Sequence, residues 1–109
     1  MLYLTAETKI LIAVKPVDFR KQIDGLVALC EHHLKADPRS GTLFVFINRT
    51  GSMLKVLCYE DNGYWLATKR LSRGRYQGWP QHAEALCPLS ASELNKIVKL
   101  LFAPSKKNL

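Results

Sequence analysis

Polar and apolar positions along this 109-residue chain change period repeatedly, and each change marks an element. Lys9 to Val14, KILIAV, is an aliphatic, β-branched run closed by Pro16, which has no N–H to give a sheet ladder, so it reads as a first strand. The spacing then becomes helical. Phe19, Ile23, Leu26, Val27, Cys30 and Leu34 share one face, and Lys21, Gln22, Ala28 and Glu31 fall on the other. With Asp18 in an N-cap position, this predicts a helix from about Asp18 to Lys35, on which Arg20 and Asp24 pair at i,i+4. Gly25 inside it lowers helix propensity and predicts a close packing contact. Asp37, Pro38, Ser40 and Gly41 make the next turn.

From Thr42 the runs TLFVFIN, MLKVLCYE and YWLATKRL are rich in Val, Phe, Ile and Tyr and are separated by the Gly-containing turns RTGS and DNG. They predict a three-stranded antiparallel meander from Thr42 to Leu71, with the N-terminal strand extending the sheet so that its backbone groups are paired. Strand parity puts Lys69 on the face of Trp65, Ala67 and Leu71, and Arg70 with Tyr64, Leu66 and Thr68. Ser72 to Pro88 contains Gly74, Gly78, Pro80 and Pro88 and has no sustained period, so it reads as a long loop with a short extended piece at Ala85 to Cys87. Ser90 and Glu93 form a capping box ahead of Leu94, Ile97, Val98 and Leu101. This predicts a helix from about Ala91 to Phe102, stopped by Pro104, with residues 103–109 a frayed tail. The expected architecture is one α+β domain over residues 1–109: an antiparallel sheet, made of the meander plus the N-terminal strand, packed with one long helix and one short C-terminal helix.

Composition adds little until charge is considered. The chain is 48% hydrophobic and 23% charged, which is globular, and no apolar run has the length of a membrane span. The N-terminus carries no secretion signal pattern, so a soluble cytoplasmic protein is expected. Cys30, Cys58 and Cys87 are odd in number, far apart and without a CxxC, which reads as reduced core cysteines rather than a disulfide framework or zinc site. The net charge of +7, however, favours a polyanionic partner, foremost nucleic acid.

That charge is clustered. Arg49, Lys55, Lys69, Arg70, Arg73 and Arg75 lie in one stretch with only Glu60 and Asp61 as anions. Within it, GYWLATKRLSRGRYQGWP interleaves cations with Tyr64, Trp65, Tyr76 and Trp79 and holds no acid, a mixture suited to phosphates and unstacked bases. Candidate nucleic-acid-binding residues are therefore Lys55, Lys69, Arg70, Arg73, Arg75, Tyr76 and Trp79, with Arg20, Lys21 and Arg49 as a secondary surface. The plainer alternative has the aromatics packing in or on the sheet, Trp79 filling a core edge, and the cations serving solubility.

Catalytic chemistry finds less support. Asp18 and Glu93 have capping positions, Asp37 and Asp61 sit in turns, and the adjacent His32 and His33 point roughly 100° apart on a helix. No metal site, cofactor or nucleophile motif is expected, and no phosphate-cradling GxxxxGK[ST] is present. Lys69, Arg70, Arg73, Arg75 and Tyr76 do supply the residue types used by small basic RelE-like ribonucleases, without a specific spacing, and that activity stands as an enzymatic alternative.

Three segments carry a resemblance. VDFRKQIDGL, DPRSGTLFVFINRTG and KVLCYEDNGYWLATKRLSRGRYQGWP are similar to the accessory protein of the insertion-sequence family sixty-six, the TnpB-type product of a second reading frame. The matching units are D-F-R-K with D-G-L, S-G-x-L-F-V-F, the D-x-x-G turn before an aromatic strand, K-R-L followed by G-R-Y and W-P, and a terminal L-S-x-x-x-L. Together they cover nearly the whole chain. Departures fall at Gln22, Arg39, Thr50 and Ser72, and one extra residue precedes Trp79. The resemblance implies a non-catalytic bacterial mobile-element protein that assists transposition beside a separate transposase, which carries the acidic metal ligands and performs the strand chemistry. It makes Arg20, Lys21, Asp24, Lys69, Arg70, Arg75 and Trp79 candidates by position. The basic stretch then has two readings. In one it contacts DNA, with phosphates on its cations and with Tyr76 and Trp79 stacking or supporting the loop. In the other it docks as an adaptor on the transposase without touching DNA. Oligomeric state is not legible.

Overall fold

The computed structural model describes residues 4–99. Along the chain they form β1 (Ile10–Ala13), α1 (Ile23–His32), β2 (Leu43–Ile47), β3 (Met53–Glu60), β4 (Gly63–Arg70), β5 (Leu86–Leu89) and α2 (Ala91–Val98). The strands make one five-stranded sheet in the order β4-β3-β2-β1-β5. β2 is central and buried along its whole length, which explains the unbroken apolar run LFVFI. Leu43, Val45 and Ile47 pack with Ile10, Ile12, Leu54 and Val56 and with Leu94 and Val98 of α2. Phe44 and Phe46 face the other way, toward Ala13, Leu57 and, on α1, Leu26 and Cys30. The α+β class expected from the sequence holds, with one helix on each face.

The sheet is mixed rather than antiparallel. β1 joins it as expected but runs parallel to β2, with Ile10 opposite Leu43 and Ile12 opposite Val45. The β2–β3, β3–β4 and β1–β5 pairs are antiparallel, so the predicted meander is present. A parallel pair needs a crossover, and α1 with its flanking loops supplies it. The extended piece expected at Ala85 to Cys87 is a paired edge strand, Leu86–Leu89, that starts one residue later and ends two residues later, and Pro88 is tolerated there because an edge strand can spare an N–H.

α1 is also shorter than its periodicity predicts, and Asp18 does not cap it. Gln22 is the N-cap, without a side-chain hydrogen bond, and the first helical bond runs from Leu26 N–H to the Gln22 carbonyl at 2.9 Å. The reason lies in the core. Lys55, on the α1 face of β3 and only 4% exposed, donates from its ammonium to the carbonyls of Phe19 (3.0 Å) and Lys21 (2.7 Å) and sits 5.0 Å from the centre of the Phe19 ring. Those carbonyls are thereby turned to the lysine instead of to N–H groups further along the chain. Asp18 instead accepts from the Arg20 backbone at 2.9 Å and pairs with its guanidinium at 2.6 Å, in place of the predicted Arg20–Asp24 pair. That guanidinium holds the Asp18 carboxyl well below the usual carboxylate range. At the other end His33 is the C-cap, the N–H groups of His33 and Leu34 both reach the Leu29 carbonyl at 3.0 Å, and beyond them Lys35 adopts φ 54° as Ala36 N–H returns to the Cys30 carbonyl at 2.9 Å.

α2 begins with the expected capping box, Glu93 N–H donating to Ser90 Oγ at 3.0 Å and Ser90 N–H to Glu93 Oε1 at 2.8 Å. The predicted continuation to Phe102 and the tail at 103–109 lie outside the described residues. Cys30 and Cys58 are buried and Cys87 half-buried, all three free thiols, and burial pushes Cys30 up to about 11. No helix among the described residues is long and apolar enough to cross a membrane.

Two substitutions test this packing. Lys55→Met keeps the aliphatic stem but orphans two carbonyls, so it should lower unfolding free energy by about 2–3 kcal/mol in urea titration; an unchanged midpoint would mean that the lysine does not hold the 19–21 segment. Tyr76 is 8% exposed, and its hydroxyl is buried without a hydrogen-bond partner among the described residues. Tyr76→Phe should therefore leave stability unchanged or raise it by up to about 1 kcal/mol, whereas Tyr76→Ala should cost about 3–5 kcal/mol. A Phe variant as damaged as the Ala variant would contradict that burial.

Candidate nucleic-acid interface

Strand direction decides which loops meet. β1, β2 and β4 end, and β3 and β5 begin, at the same end of the sheet, which therefore collects residues 14–22, 48–52 and 71–85. Backbone hydrogen bonds sew these segments together. Val14 N–H donates to Ala85 O at 3.0 Å, Val17 N–H to Ile47 O at 2.9 Å, Leu71 N–H to Ser52 O at 2.9 Å and Tyr76 N–H to Gly51 O at 2.8 Å. Gly51, at φ +75°, takes a left-handed conformation that favours glycine, and a Cβ there would be in ordinary van der Waals contact with the Arg75 side chain of the following loop. Asn48 stiffens the same turn by accepting, through Oδ1, from the N–H groups of Ser52 and Met53, each at 3.0 Å.

This end is basic. Its loops and the end of β4 carry Lys15, Arg20, Lys21, Arg49, Arg70, Arg73 and Arg75, all exposed, against Asp18 and Glu84, with Asp24 just inside α1. The opposite end carries Glu7, Asp37, Glu60 and Asp61 against Lys9, Lys35 and Arg39. Among the described residues the side chains of Arg49, Arg70, Arg73 and Arg75 have no hydrogen-bonding or ion-pair partner, whereas Arg20 is bound to Asp18. Lys21 lays its stem across Gly25, where a Cβ would come within 3.1 Å, the close contact that the helix glycine predicts. An open depression of about 500 Å³ between the first two loops is lined by Val17, Asp18, Phe19, Arg20, Asn48, Arg49 and Thr50.

The structure divides the candidate residues into two groups. Arg70, Arg73 and Arg75 stand free on the surface, and Arg20, Lys21 and Arg49, expected as a secondary surface, adjoin them. Lys55, Lys69, Tyr76 and Trp79 have internal tasks instead. Lys55 is spent on the 19–21 carbonyls. Lys69 lies on the face of Leu71, which the structure shows to be the one covered by α2, and its ammonium donates to the carbonyls of Val98 (3.2 Å) and Lys99 (3.3 Å) at the C-terminal end of α2, where a cation is favoured. Tyr76 belongs to the core between the sheet and α2. Trp79 packs against that core, and its indole N–H donates to Ala13 O at 3.2 Å. The aromatics of the basic loop thus pack inward, while its arginines stand outward. Missing from the sequence reading were Lys15 and the convergence itself, for which the only available signal was a parallel β1–β2 pairing hidden in the apolar run of β2.

Among the described residues no group of three or more His, Cys, Asp or Glu side chains is arranged to hold a metal ion. The surface offers guanidinium forks suited to planar oxyanions, on loops stiffened by backbone bonds.

Comparison with known proteins covers nearly the whole chain. The family model for IS66 Orf2 like protein matches residues 8–103. The chain is 34% identical over 90 residues to uncharacterized protein y4jC of Sinorhizobium fredii (strain NBRC 101917 / NGR234), covering 83% of this chain and 76% of that one. It is 36% identical over 90 residues to uncharacterized protein y4hO of the same strain, covering 83% and 77%. No solved structure matches the chain. The extent of the family match and these identities show that the chain belongs to the IS66 Orf2-like family of insertion-sequence accessory proteins.

Proposed function

We propose that this accessory protein assists transposition by holding DNA through its backbone, using the basic end of the sheet and performing no chemistry of its own. The observation that carries this reading is the convergence of Lys21, Arg49, Arg70, Arg73 and Arg75 from three separated segments onto one end of a rigid sheet, with the arginines left without protein partners among the described residues. Each guanidinium offers two parallel N–H donors to a phosphate, and a set fixed by core-anchored loops needs little reordering on binding. The opposite end, with four anions against three cations, leaves the charge concentrated at one end, a polarity that would orient the molecule as it approaches a polyanion. Contacts of this kind position a protein on a duplex without selecting sequence, so recognition of the element's ends falls to the transposase or to DNA shape. The same surface docked on an acidic face of the transposase is the rival, and the experiment separates the two.

Binding to a labelled duplex should weaken steeply with salt, the log–log slope being about 0.9 per phosphate neutralised. Replacing Arg49, Arg73 and Arg75 together by Gln should lower that slope by about 2.7 and weaken element and scrambled duplexes alike, whereas Lys9→Gln with Arg39→Gln at the opposite end should leave it unchanged. Lys55→Met and Lys69→Met, if folded, should also keep the slope. A triple variant that binds DNA normally yet no longer binds transposase would replace the DNA reading with the adaptor.

A further inference from the structure

The two edges of the sheet are built differently. β5 is four residues long and contains Pro88, both of which discourage another strand from joining. β4 is eight residues long, regular and free of proline, and among the described residues it has β3 on one side and no strand on the other. It also presents Trp65, 47% exposed, the one large exposed hydrophobic side chain among the described residues, next to exposed Ala67. A long, regular, proline-free edge with an exposed aromatic is what proteins ordinarily avoid unless another strand covers it.

We propose that β4 pairs antiparallel with β4 of a second copy, joining two sheets into one across a two-fold axis at Ala67. The register follows from backbone parity. Leu71 N–H points to β3, where it meets Ser52 O, so by alternation the odd residues of β4 face β3 and the N–H and C=O groups of Tyr64, Leu66, Thr68 and Arg70 point outward. With Ala67 opposite Ala67 of the other copy, Leu66 and Thr68 form hydrogen-bonded pairs, as do Tyr64 and Arg70. The same register sets Tyr64 across from Arg70 on one face, an aromatic ring facing a cation, and Trp65 across from the stem of Lys69 on the other, the Lys69 ammonium staying on the Val98 and Lys99 carbonyls. It also carries the acidic turn at Glu60 and Asp61 toward the end of the other copy's β4, where its cations lie.

The strand is complementary to itself only in this direction. A parallel pairing would set Lys69 and Arg70 against their own copies, an unfavourable like-charge contact. This complementarity identifies a second copy of the chain, rather than a strand of another protein, as the occupant. Arg70 then lies at the boundary, and Arg49, Arg73 and Arg75 stay on each copy's loops. Because the pairing is antiparallel, the two basic ends point in opposite directions. Resting on the DNA reading above, this would let one dimer hold two duplexes.

Light-scattering mass across a concentration series should show a species of twice the 12.4 kDa chain mass. Ala67→Lys, which sets like charges face to face at the axis on an exposed site, and Thr68→Pro, which removes an outward N–H at an edge position, should each weaken the dimer at least tenfold, with native circular dichroism verifying the fold. Ala67→Cys should oxidise to a covalent dimer, since a non-hydrogen-bonded antiparallel pair places Cα atoms about 4.5 Å apart, within bridging distance, whereas Leu66→Cys should not. A monomer at every concentration, a dimer indifferent to Ala67→Lys, or a β4 edge protected from hydrogen exchange only when transposase is added would overturn the proposal. Bridging is read separately, by fluorescence transfer between two labelled duplexes, which should be lost in Thr68→Pro while affinity for one duplex is kept. If the wild type dimerises through β4 and binds no DNA, only the DNA reading fails.

Discussion

The parallel pairing of β1 with β2 is the constraint on which the rest of the structure depends. Once Ile10 stands opposite Leu43, the chain between them must cross a face of the sheet, which places α1 over Phe44 and Phe46 and leaves the other face for α2. The same pairing fixes strand direction, and strand direction brings the segments after β1, β2 and β4 to one end. Were β1 antiparallel to β2, the 14–22 segment, with Arg20 and Lys21, would leave from the opposite end, beside Glu60 and Asp61. The basic surface is thus a product of topology rather than of one sequence motif.

Within that frame, cations of similar appearance in the sequence divide by what their side chains can reach. Lys55 and Lys69 are long, flexible point charges, and each finds backbone carbonyls: one pair in the segment before α1, the other at the end of α2. They hold the two helical layers to the sheet from opposite faces. The arginines at 49, 70, 73 and 75 sit at strand ends and on turns where no carbonyl or carboxylate approaches among the described residues. Tyr76 and Trp79 complete the division by burying their rings and leaving Arg73, Arg75 and Gln77 on the outside of the loop.

Much of this was legible in the sequence. The meander, the helix faces and the Ser90–Glu93 capping box follow from periodicity and turn chemistry, and the family follows from ordered motifs such as D-F-R-K and G-R-Y. Two features were not legible, for physical reasons. The direction of β1 depends on a partner more than thirty positions away, and only the unbroken run LFVFI, apolar on both parities, hinted at a strand covered on both faces. The burial of Lys55 depends on an alternation in which its neighbours Leu54 and Val56 face one core and Lys55 itself the other, so a charged residue in a strand covered on both sides had to point inward. Its capture of the Phe19 and Lys21 carbonyls in turn shortened a helix whose apolar spacing alone predicts a start at Asp18.

The central claim, that one end of the sheet meets the DNA backbone, is tested most directly by mapping amide chemical shifts as a short duplex is added at low salt. The account predicts that perturbations gather in residues 18–22, 48–52 and 70–77, remain small in 37–41 and 60–62, and fade together as salt is raised. Perturbations centred on the opposite end or on α2, or a spectrum unchanged by DNA at low salt, would contradict it.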